Sequence, residues 1–91
     1  MIDMNEMNEL LKGVRHVLLN VWDPIGIRDV PDAQDEYDDY LIPVLQALRN
    51  GAEVPELSAL LIRIVEEQIG LSADAGQSRQ AAEQLYALVR R

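Results

Sequence analysis

Cysteine is absent from the chain, which removes disulfides, thiolate nucleophiles and cysteine-based zinc sites together. Phenylalanine is absent as well. The aromatic residues are one Trp and three Tyr, so the core must be aliphatic. No segment approaches the roughly 18 to 20 apolar residues that span a bilayer. The opening MIDMNEMNEL has neither the basic stretch nor the apolar run of a signal peptide, so the expected location is cytoplasmic. Basic residues are scarce: 8 Lys and Arg stand against 16 Asp and Glu, a net charge of −8. Residues 23–39 hold seven of those acids with Arg28 alone opposing them, so most of the charge sits there. Such a patch repels phosphates, which argues against binding nucleic acid or an anionic membrane. It attracts a cationic protein and speeds the encounter.

What remains is helical in pattern. Ninety-one residues make one domain, 1–91, with enough chain for a modest core. Met4, Met7, Leu11, Val14, Leu18 and Val21 are spaced 3, 4, 3, 4, 3, and Leu10 and Val17 widen that stripe. Gly13 sits inside this first helix, where it suits a close helix approach, and His16 lies opposite the stripe. Pro24 ends the helix. A second helix is expected to begin near Asp32 to Asp35 and to run to Asn50, with Tyr37, Leu41, Val44 and Leu48 inward and Gly51 as its stop. Pro43 falls inside it and predicts a kink or a fresh start.

The third helix carries Pro55 and Glu56 in its first turn. Its inward face is Leu57, Leu60, Leu61, Ile64 and Val65; Gly70 closes it, with Leu71 folding back. A fourth helix starts at Asp74, with Gln77 as capping-box partner, or alternatively at Ser78. Ala82, Leu85 and Val89 form its inner stripe, and Arg90 and Arg91 suit its negative end. Short connections favour antiparallel neighbours, so the expected fold is all-α, a compact four-helix bundle with a long loop between helices 1 and 2.

That loop, VWDPIGIRDVPDAQDEYDDY, is where function is sought. Its front, WDPIG, reads as a corner. Trp22 packs over the end of the bundle, Asp23 accepts bonds from the amides just ahead, Pro24 fixes the turn and Gly26 permits a positive φ. Its back, DAQDEYDD, places Asp32, Asp35 or Glu36, and Asp39 along one face at helical spacing. Asp32 would cap, but Asp38 and Asp39 lie too far along to serve the helix dipole and are surplus to the fold.

Catalytic patterns are lacking. His16 has no Glu three residues before it, EF-hand spacing is missing, and Glu66–Glu67 is followed by no Glu-x-x-Asp step. Ser58, Ser72 and Ser78 stand in no nucleophile-elbow context, and there is no phosphate-binding glycine loop. No catalytic residue, metal or cofactor is assigned, and enzyme activity is not expected.

The combination VWDPIG, DEYDDYLIPVLQALRNGA and EEQIGL, over about residues 14–71, resembles a family of small bacterial helical proteins of unknown function. Trp22, Asp23, Pro24, Gly26, Asp35, Glu36, Tyr37, Asp38 and Gly51 match its motifs. The resemblance implies a helical single domain with no assigned reaction; some such proteins look like immunity partners of bacterial toxins. The leading expectation is an acidic protein-binding module, an inhibitor or immunity protein for a basic partner such as a nuclease toxin. Asp32, Asp35, Glu36, Asp38 and Asp39 would supply the charge, with Tyr40 and Trp22 as aromatic anchors. The competing readings are a small Mg- or Mn-dependent hydrolase using the Asp35–Asp39 carboxylates, and a structural homodimer.

Overall fold

The computed structural model describes residues 4–89, with side chains from Met7 onward, so the expectations for Met4, Arg90 and Arg91 fall outside the described side chains. The periodic segments become four α-helices: α1 (Met4–Val17), α2 (Leu41–Arg49), α3 (Val54–Arg63) and α4 (Ala75–Val89). They pack as an all-α bundle, with no strand among the described residues. The most extensive packing is α3 against α4, and α1 lies on both α4 and α2. The radius of gyration, 12.5 Å, is close to the roughly 12 Å of a compact chain this long, so the long connection lies on the bundle. No helix among the described residues is long and apolar enough to cross a membrane.

The core is aliphatic as expected, and two aromatics join it. Val14, Leu18, Val44, Leu57, Leu61, Ile64, Ala81, Ala82 and Leu85 are sealed from solvent, and Trp22 and Tyr37 are buried beside them. Val89, placed on the inner stripe of α4 by its spacing, is exposed instead; Ser78 and Ala81 take up that face nearer the start of the helix.

The stripe of α1 shifts near its end for a geometric reason. From Leu18 to Trp22 the helix widens into a π turn, closed by the Asp23 N–H donating to the Leu18 carbonyl at 2.9 Å. The extra residue in that turn changes the register, so Trp22 enters the core while Val21 is only partly covered. The end of α3 does the same over Ile64–Ile69, where the amides of Gly70 and Leu71 both donate to the Val65 carbonyl. Leu71 thus folds back through its backbone, and its side chain stays exposed.

The expected start of the second helix is corrected. No α-helix begins near Asp32 to Asp35; α2 starts at Leu41. From Val30 to Tyr40 the chain instead makes tight turns, with the amides of Ala33, Glu36, Asp38 and Tyr40 each donating to the carbonyl three residues back at 3.0–3.1 Å. Pro43 explains the boundary. In a longer α-helix its ring would collide with the carbonyl four residues earlier, whereas in the first turn its missing N–H is no loss. Of the two expectations at Pro43, the fresh start is the one observed.

Other boundaries follow local chemistry. Gly51, at φ 82°, ends α2 in the left-handed region, and its N–H donates to the Leu48 carbonyl. The Glu56 carboxylate accepts the Glu53 N–H at 3.2 Å at the head of α3. Asp74, not Ser78, opens α4, its Oδ1 accepting the Gln77 N–H at 2.9 Å. The Gln77 side chain does not complete a capping box. It donates to the Val21 carbonyl at 3.3 Å, tying the head of α4 to the end of α1.

Candidate functional site

Residues 23–40 form a strap between α1 and α2, and its anchor is Asp23. This residue closes the π turn at φ 32°, ψ 60°, the left-handed region where aspartate is one of the few tolerated side chains. The conformation aims its carboxylate forward. Oδ1 accepts the Ile27 N–H at 2.8 Å and the Tyr37 hydroxyl at 2.8 Å, while Oδ2 accepts the Arg28 N–H at 3.2 Å. The Tyr37 oxygen in turn accepts the Ile25 N–H at 2.9 Å. Gly26, at φ 77°, supplies the turn between these donors, as WDPIG predicts.

Tyr37 turns inward, as its spacing predicts, and it does more than fill space. Its ring lies 5.3 Å from that of Trp22, and Tyr40 meets Trp22 edge-on at 6.0 Å. Burial pushes the Tyr37 phenol well above its ordinary range, and the Asp23 bond and the charges of Asp23 and Glu36 push the same way. The Ile25 amide opposes them without reversing the shift. Tyr37 is therefore a neutral donor at any physiological pH.

The sequence-predicted contact residues do not share one role. Trp22 is only 1% exposed and offers no surface to a partner in this conformation, so its place among the aromatic anchors is corrected. Its indole Nε1 is buried without a hydrogen-bond partner among the described residues. A cleft of about 100 Å³ lies beside it, bordered by Pro24, Val65, Ser72, Asp74, Gln77 and Ser78. Tyr40 is half-buried at the edge of the cluster.

Asp38 is not surplus. Its two oxygens take the Arg15 guanidinium as a fork, 3.1 Å to Nε and 2.8 Å to Nη2, fastening the end of the strap to α1. Asp32 caps nothing: the short turn Pro31–Ala33 has no side-chain cap. With no α-helix present, Asp32, Asp35 or Glu36, and Asp39 do not line one α-helical face. Asp32, Asp35, Glu36 and Asp39 are nevertheless all exposed, and none of their carboxylates has a hydrogen-bond or ion-pair partner among the described residues.

Arg15 and Gln77 were not legible as site residues. Arg15 lies 23 positions from Asp38 and Gln77 lies 56 from Val21, and no local pattern links residues so far apart. Among the described residues, no three His, Asp or Glu side chains converge in a way that could hold a metal ion. An open groove of about 500 Å³, lined in part by Asn20, Arg28, Gln77 and Gln80, holds no grouping of nucleophile and base. Comparison with known proteins gives no significant match: no family model fits the chain, and neither the curated proteins nor the solved structures supply a relative.

Proposed function

We propose that the strap is an acidic protein-binding surface. Most concretely, the chain acts as an inhibitor or immunity protein that occludes the cationic groove of a basic partner such as a nuclease toxin. One observation carries the reading. Asp32, Asp35, Glu36 and Asp39 stand exposed and unpaired on a segment that Asp23 and Asp38 pin to the bundle. Like charges so close repel one another, so they cost stability where nothing cationic faces them. Holding them on a fixed backbone lowers the entropy lost when a partner supplies the missing cations. Tyr40, at the edge of this surface, is the aromatic side chain placed to contribute apolar area.

The test uses the cell of origin. Proteins captured by the wild-type chain at low and at high salt are compared with those captured by the Asp35→Asn, Asp39→Asn double variant. Support is a basic protein held by the wild type, released by salt and lost by the variant. A partner retained equally by both, with the same salt dependence, overturns the proposed surface.

A further inference from the structure

Two unfavourable features stand side by side where the strap leaves α1. Trp22 keeps its indole N–H buried without a partner among the described residues, and Asp23 holds a left-handed backbone that non-glycine residues rarely adopt. The strap bears on both: Tyr37 and Tyr40 pack against the Trp22 ring, and three strap donors hold the Asp23 carboxylate. We propose that residues 24–40 lift as a unit off Asp23 and an intact bundle, and that this opening unmasks Trp22.

The attachment of the strap supports a separate opening. Every backbone hydrogen bond from Pro24 to Tyr40 that lies outside the helices runs to a carbonyl three residues back, so none joins the strap to α3 or α4. Tyr37 is the one buried residue between Pro24 and Tyr40, with Ile27 and Tyr40 partly covered beside it. Polar fastenings hold the rest: the Ile27 and Arg28 amides and the Tyr37 hydroxyl on the Asp23 carboxylate, the Arg28 guanidinium on the Asn20 carbonyl, and the Asp38 fork on Arg15. Tyr37 belongs to the same buried cluster as Leu18, Leu57, Leu61, Ile64 and Leu85, but those five side chains come from α3, α4 and the π turns that end α1 and α3, not from the strap. Segments with few buried apolar contacts open at lower free energy than the whole fold. Here opening also frees Asp23 to leave the left-handed region. Closed, the strap hides the sole tryptophan; open, it presents that ring beside the acidic turns.

A single tryptophan makes the experiment direct, because the chain has one indole N–H and one tryptophan emission. Hydrogen exchange of the Trp22 indole and of the Ile25 and Ile27 amides is followed by NMR in native buffer, beside amides of α3 and α4. In the wild type the strap signals exchange faster than those of α3 and α4, with little dependence on denaturant. Tyr37→Phe, which keeps the ring, and Asp38→Asn each raise the strap rates about fivefold, the factor for one hydrogen bond of ordinary net strength. The α3 and α4 amides stay slower than the strap amides and keep a steep dependence on denaturant, and acrylamide quenching of Trp22 rises with the strap rates. Should the Trp22 indole and the strap amides exchange only with α3 and α4, in the wild type and in Asp38→Asn alike, the strap does not open alone and the proposal fails.

Discussion

Asp23 combines two properties that a single side chain seldom has to meet together. It tolerates the left-handed backbone that ends the π turn, and it accepts three donors from the strap. Asp23→Ala loses both, and it leaves the buried Tyr37 hydroxyl without its acceptor. The expected loss is about 2–3 kcal/mol in urea unfolding. Tyr37→Phe keeps the ring against Trp22 and removes the bond, costing about 1 kcal/mol at neutral pH. The same variant changes the alkaline limb. The folded state holds the Tyr37 proton above the ordinary tyrosine value, so that part of stability is complete below about pH 10 and is lost as pH rises beyond it. Tyr37→Phe should therefore show a shallower loss between neutral and strongly alkaline pH than the wild type, read from urea midpoints across that range. The motif WDPIG makes this corner legible in advance, since turn chemistry is local. The partnership of Asp23 with Tyr37 is not legible, because fourteen residues separate them.

At the scale of elements, helix count and inward faces follow from periodicity, and boundaries follow from backbone chemistry that periodicity does not report. The apolar spacing from Tyr37 through Leu48 is continuous, yet the α-helix starts only at Leu41 because Pro43 forbids a longer one. Pro43→Ala discriminates between the two placements. A proline in a helix interior would cost about 3 kcal/mol, so its removal there would stabilise strongly. In the first turn, removal frees only the unfolded chain, and the expected change is a loss of about 0.4–1 kcal/mol. Gly13 tests the packing of α1 on α4. A Cβ there would come within 2.9 Å of a terminal methyl of Leu88, a half-buried side chain at the rim that can turn aside. The gain in helix propensity and the cost of moving Leu88 nearly cancel, so Gly13→Ala should shift stability by less than about 1 kcal/mol. The π turns at the ends of α1 and α3 leave no mark in composition. They appear only when Trp22 and Val65 must both reach the core.

For the whole molecule, the charge separates into a part that serves the fold and a part that does not. A block of acids in the sequence cannot reveal which is which. The pairing of Asp38 with Arg15 depends on α1 and the strap lying together, which only the tertiary structure provides. Asp38 belongs to the fold, while Asp32, Asp35, Glu36 and Asp39 face solvent unpaired, and that division underlies the proposed binding surface. The most direct measurement is urea unfolding at low ionic strength of two variants beside the wild type. One is Asp38→Asn; the other carries Asp32→Asn, Asp35→Asn, Glu36→Gln and Asp39→Asn together. Asp38→Asn should lose up to about 1 kcal/mol, as expected for a partly exposed ion pair. The fourfold variant should match or exceed the wild type, because relief of repulsion is all it changes. A loss of more than about 1 kcal/mol in the fourfold variant would make those acids structural, and the binding surface would lose its basis.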